Sequence, residues 1–235
     1  MQSKKKRREM QKLLSVNRYF GFVVLTSVLA TVIFLVSPPT ILAQGGAFVG
    51  IPRGGENAYE SLGRSDQDGP VLRHYGYLTH IFGSPDAALF SDPTTRTEAT
   101  ARFTFVATTT WDARHEFGNI IVTSAPGTVT IFFNEAPSAD FDNPESFASG
   151  QPIATFSVRY YNVLNVQAPG QGNSSLVADL IQQSTNSFTL NGRLLRLGRR
   201  GLQERIQASG QGTRIQVDPV RAFFLLGASA VVTKH

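Results

Sequence analysis

In the segment "ATFSVRYYNV" the residues sort by twos: Phe156, Val158, Tyr160 and Asn162 fall on one side of an extended chain, and Ser157, Arg159, Tyr161 and Val163 on the other. A period of two belongs to a β-strand whose two faces meet different surroundings. "ARFTFVATTT" repeats it, with Phe103, Phe105 and Ala107 opposite Arg102, Thr104, Val106 and Thr108. Runs rich in Phe, Tyr, Val, Ile and Thr follow one another after Pro70: Val71–Phe82, Arg102–Thr110, Asn119–Ser124, Thr128–Asn134, Ile153–Val166, Ser187–Leu190, Arg193–Leu197, Leu202–Ala208, Thr213–Val217 and Arg221–Thr233. Such residues suit a pleated, half-buried surface. Turn chemistry separates the runs, explicitly at "APGT" (125–128) and at "NG" (191–192), the preferred type I′ pair. One stretch has another period. In "SSLVADLIQQS", Leu176, Val177, Leu180 and Ile181 make a helical stripe behind a capping serine, which predicts a helix over 174–184. The expectation is an all-β fold, a single antiparallel barrel or sandwich with one short helix.

With no cysteine in 235 residues, disulfide staples, thiolate nucleophiles and Cys-based metal sites are excluded, so the fold rests on its core. The +5 formal charge is unevenly placed. Residues 1–44 carry seven Lys/Arg and one Glu; the remainder is close to neutral, with 45–145 at −7 and 146–235 at +6. A near-neutral domain has no general attraction for a polyanion, so no nucleic-acid partner is expected.

The basic excess has a position that explains it. Residues 1–18 hold "KKKRR", no charge occurs between Tyr19 and Pro52, and Phe22–Val36 is strongly apolar before Pro38-Pro39. That is the layout of an export signal cleaved near Ala43, or of an uncleaved anchor over 19–43. Both place the later residues outside the cytoplasm, with membrane contact only through 19–43. Residues 44–70, rich in glycine, read as a flexible leader before a β-domain over 71–235.

Candidate chemistry is thin. His74 and His80 are six residues apart on one expected strand, which points them to one face roughly 20 Å apart, too far to share a metal. "WDARHE" joins the single tryptophan, Trp111, to Asp112, His115 and Glu116 in an expected loop; with His74 these are the candidate acid–base groups. Asp140, Asp142 and Glu145 offer hard oxygens for Ca²⁺, although Pro144 breaks the EF-hand pattern. A closed barrel of about eight strands holds one small ligand, and Tyr75, Tyr77, Phe103, Phe105 and Tyr160 are the candidate lining residues. Arg193, Arg196, Arg199, Arg200 and Arg205 are expected to balance acids on their own surface. The favoured function is a non-enzymatic exported domain that binds a small apolar ligand or an envelope partner, without a cofactor. An extracytoplasmic barrel enzyme and a structural envelope protein are the alternatives. Export is checked by fusing residues 1–60 to a reporter active only outside the cytoplasm; the fusion is expected to be active, and a cytoplasmic, inactive fusion refutes it.

Overall fold

The computed structural model describes residues 46–234, Gly54 excepted, so the expected signal or anchor over 19–43 lies outside the described residues. Twelve strands run in order: β1 Ala47–Val49, β2 Asn57–Asp68, β3 Val71–Ile81, β4 Phe103–Thr110, β5 Ala113–Phe117, β6 Ile120–Phe133, β7 Gln151–Ala168, β8 Gln171–Thr185, β9 Ser187–Leu190, β10 Arg193–Leu197, β11 Gln203–Gln216 and β12 Arg221–Lys234. Eight of them close an antiparallel barrel, β2-β3-β4-β6-β7-β8-β11-β12, with β12 hydrogen-bonded back to β2. Every barrel strand pairs with the barrel strand before it in the chain. This is an up-and-down barrel, and closure removes the sheet edges that an open sheet would expose.

Two insertions decorate it. β5 pairs with the first half of β6, while β4 takes the second half, so β4 and β5 act as one strand kinked at Trp111 and Asp112. β9 and β10 form a hairpin that β1 joins in parallel, a three-stranded sheet of its own. Its "NG" turn has Asn191 at φ 50° and Gly192 at φ 75°, the conformation expected of a type I′ pair. One end of the barrel is packed with aromatic rings. Phe103 on β4, Phe133 on β6 and Phe188 on β9 stack with centroids 5.1 to 5.4 Å apart and close that end as a floor.

Several expectations are corrected. Residues 174–184 are not a helix but the body of β8. Ser174, Ala178, Leu180 and Gln182 are buried toward the interior while Val177 and Ile181 are exposed outward, a strand period that pairing with β7 and β11 imposes over the helical stripe. The described helical segments are three short 3₁₀ turns, Asp86–Leu89, Glu98–Thr100 and Pro144–Ala148. "APGT" is not a turn, because β6 runs straight through it. Ala125 and Pro126 fall where the neighbour changes from β4 to β5 and have no partner on that side, so an already interrupted ladder accommodates the proline. "WDARHE" is largely strand β5 rather than loop. The leader expected over 44–70 contains β1 and the whole of β2. Of the five arginines in 193–205, only Arg205 has a carboxylate partner among the described residues, Asp179 at 2.8 Å, while Arg196 donates to Ser187 Oγ.

Close strand contact shapes the wall. Gly63 on β2 faces Gly76 on β3, and the Phe105 ring lies across both. A Cβ at Gly76 would strike the Leu62 carbonyl oxygen, would sit 2.6 Å from Gly63 Cα, and would stand 2.9 Å from the Phe105 ring. Backbone cannot retreat from it. Gly76→Ala is therefore expected to lower stability by about 3 kcal/mol. Gly227→Ala, whose Cβ meets only Leu62 Cδ2 at 3.7 Å on the outer face, is expected to stay near neutral. Urea unfolding of both variants checks the contrast, and equal effects would contradict it.

Candidate functional site

Inward-pointing positions along β2 are Tyr59, Ser61, Gly63, Ser65 and Gln67, and along β11 and β12 they include Ala208, Gly212, Ala222 and Ala228. Small side chains on so many strands leave the axis unfilled. Above the Phe103 floor a cavity of about 120 Å³ runs between Tyr59, Phe105, Val129, Val158 and Ile206. Nearer the other end lies a second cavity of about 200 Å³, walled by Leu72, Ile121, Leu164, Val166 and Phe224. It reaches the end of the barrel where the β7–β8 turn and the β11–β12 connection meet, since Pro169, Gly170 and Val220 line it. The two share Ser65, His74, Tyr160, Leu176 and Leu226, which form a waist between them.

The waist is where polar chemistry concentrates. His74 comes from β3 opposite Ser65 of β2 and Ala107 of β4, so its ring enters the barrel. Ser65 Oγ lies 2.6 Å from His74 Nδ1, and Thr109 Oγ1 lies 2.9 Å from Nε2. One ring nitrogen of a neutral imidazole donates and the other accepts, which two hydroxyls satisfy in either tautomer. Among the described residues no carboxylate touches the ring, and burial brings its pKa down to about 4. The Tyr160 ring stands edge-on to His74 with centroids 6.0 Å apart, and its hydroxyl accepts from Trp111 Nε1 at 3.0 Å. Thr109 and Thr123 lie beside that hydroxyl and favour its ionised form, but burial outweighs them and raises the Tyr160 pKa, so the phenol stays protonated. His74, Tyr160, Ser65, Thr109, Thr123 and Trp111 thus make a neutral ring of donors and acceptors within an apolar wall.

A second buried polar pair lies toward the floor. Tyr59 OH donates to Glu204 Oε2 at 2.7 Å, and Glu204 is 2% exposed. Burial raises its pKa to about 7, against which the Tyr59 bond pulls the other way.

The candidate residues from the sequence separate. Among the lining candidates, Tyr160 and Phe105 face the cavities. Phe103 is in the floor. Tyr75 and Tyr77 point outward, where Phe141, Phe147 and Phe90 of the 82–102 and 134–150 connections cover them. Among the acid–base candidates only His74 is inside. Asp112 pairs with Arg159 at 2.6 Å, Glu116 pairs with Arg114, and His115 is exposed, so these three do not gather around His74. His80 departs from the shared face because β3 carries a bulge between Leu78 and His80; it turns outward to Asp86 at 2.8 Å. The calcium candidates do not converge either. Asp140 Oδ1 accepts from the Asp142 amide and Glu145 is bound to Arg73, and no metal-holding group of acids and histidines exists among the described residues. Ser65, Thr109, Thr123 and Glu204 were not among the sequence candidates; only the alternation that places Thr109 with Ala107 could have pointed to one of them. Comparison with family models, with curated proteins and with solved structures gives no match for this chain.

His74 and Glu204 act on stability in opposite directions. Below the unfolded histidine pKa of about 6.5, His74 resists a proton that the unfolded chain takes up, so its contribution falls as pH drops from 6.5 to about 4. Glu204 holds a proton that the unfolded chain releases, so its contribution falls as pH rises from 4.5 to about 7. The slopes offset each other over most of that window. Each shift corresponds to on the order of 3 kcal/mol at about 1.4 kcal/mol per unit. Glu204→Gln is expected to uncover a stability that rises from pH 4 to 6.5. His74→Gln is expected to uncover one that falls from pH 4.5 to 7. Denaturant midpoints across pH measure this, and parallel profiles for parent and variants would contradict it.

Proposed function

We propose that this protein is an exported binding protein whose barrel holds one small, mainly apolar molecule. The observation that carries the reading is the pair of contiguous apolar cavities meeting at a buried, neutral hydrogen-bonding ring around His74 and Tyr160. Ligand sites commonly take this form, with mostly apolar walls and a few fixed polar groups. A cavity of 150 Å³ lined by apolar groups accepts benzene, so the upper space of about 200 Å³ suits a single ring with a short substituent. The enzymatic alternative has less support: His74 has hydroxyls where an orienting carboxylate would be needed, and its low pKa makes it a poor base at neutral pH. The structural alternative gives the hollow interior no role.

Trp111 is the single tryptophan and lines the upper cavity, so its fluorescence reports occupancy. With 4-phenylbutanol as probe, the chain recovered from an exporting host is expected to show a saturable change in that emission. Leu176→Phe, which thickens the waist, is expected to weaken binding at least about tenfold while costing about 1–3 kcal/mol of stability at most. Tyr160→Phe removes one hydroxyl and is expected to weaken binding by about 1 kcal/mol. Emission that never saturates, or that Leu176→Phe leaves unaltered, refutes the reading.

A further inference from the structure

We propose that the ligand is an amphipathic anion, an aryl or alkyl carboxylate whose apolar end lies against the waist and whose charge stays at the mouth between Arg114 and Arg214. The inference rests on the cavity reading above and adds the ligand's chemical class and orientation.

Both arginines are placed by register. Arg114 on β5 is directly opposite Thr123 of β6, and Thr123 belongs to the interior ring. Opposite residues of an antiparallel pair share a face, so Arg114 projects from the inner face of the β5 flap. Arg214 on β11 is opposite Ala222 of β12, which also lines the upper cavity. Its own amide donates to the Gly170 carbonyl at 2.7 Å, which fixes the arginine backbone at the rim. Two guanidinium groups therefore border a space whose walls are otherwise uncharged: among the described residues no Asp or Glu lines the upper cavity.

The charge at the mouth is only partly answered. Arg114 is bound to Glu116 on the same flap, whereas none of the seven ion pairs among the described residues includes Arg214. The forked guanidinium matches a carboxylate geometrically, and a positive rim over low-dielectric walls attracts an anion to the opening. Orientation follows from the waist. A carboxylate pushed down to His74 would lose its water in exchange for neutral hydroxyls and an imidazole that burial keeps uncharged. At the mouth it keeps water and gains the arginines. The ligand is therefore bound with its charge outward.

Calorimetric titration of the full chain, recovered from an exporting host, with 4-phenylbutyrate, 4-phenylbutanol and 4-phenylbutylamine tests this. The three probes share an apolar body and differ in end charge. The carboxylate is expected to bind about five- to tenfold more tightly than the alcohol at low salt, and the amine least tightly. The preference is expected to shrink at about 1 M salt and to vanish in the Arg114→Gln/Arg214→Gln double variant. Arg214→Lys keeps the charge and is expected to retain part of the preference; circular dichroism identical to the parent establishes that each variant is folded. Equal affinity for carboxylate and alcohol, unmoved by salt and by the variants, overturns the anion proposal and leaves the cavity reading standing. Absence of binding by all three probes overturns both.

Discussion

The barrel depends on the ladder between β2 and β12, because that pairing alone joins the first barrel strand to the last. It matches Asn57–Asp68 with Val231–Arg221, residues more than 150 apart in sequence. The other pairings around the barrel connect strands adjacent in the meander, and each could form as a local hairpin. Without the closing ladder they would leave an open sheet with two long edges and an interior in water. The closing contact is also the one whose loop entropy is largest, so it is the slow step that a barrel of this kind must complete.

That same strand is the least legible in the sequence, and the reason is physical. "NAYESLGRSDQD" carries three acids and an arginine, and its inward positions after Tyr59 are Ser61, Gly63, Ser65 and Gln67. A strand that lines a packed core announces itself by large apolar residues at every second position. One that lines a cavity must keep its inward side chains small, and here some must supply hydrogen bonds. The result resembles a polar leader. Where the interior is filled, as at Phe103, Phe133 and Phe156, the period of two is readable and the strands fall where expected. β8 shows a related ambiguity. With Leu176, Ala178 and Leu180 inside and Val177 and Ile181 left on the outer face, both faces are apolar, and a helix stripe fits the letters as well as a strand does.

The candidate site was legible only in fragments for the same reason. Tyr160, Phe105 and His74 were visible because aromatic and titratable residues draw attention. Their partners Ser65, Thr109 and Thr123 are ordinary serine and threonine, indistinguishable by letter from those on an outer face. "WDARHE" misled because its chemistry is compressed in sequence and dispersed in space. Trp111 turns toward Tyr160, the kink after it brings Arg114 toward the mouth, and Asp112 joins Arg159 at the surface. Charges were sorted in the same way. Each of the seven ion pairs among the described residues has both side chains at least 32% exposed, while the barrel axis holds a neutral histidine, a protonated phenol and hydroxyls.

A hollow interior is itself a thermodynamic statement. Left dry, about 200 Å³ of cavity would cost on the order of 5 kcal/mol at about 24 cal/mol per Å³, comparable to the whole net stability of a domain. Replacing Ala222 in the upper cavity, or Ala208 and Ala228 in the lower one, by valine or leucine would fill space with no new polar group, so the chemistry of the fold does not require the void. Two occupants offset the cost. Water can bond to the ring around His74 and Tyr160, but it finds nothing on the Leu164, Val166 and Phe224 walls. An apolar body would satisfy those walls, and a polar atom at one end would replace the water at the ring or meet the arginines at the mouth. The wall and the ring together therefore favour a molecule that is apolar along most of its length over water alone. Binding such a molecule, as proposed, would recover free energy that the empty barrel forgoes.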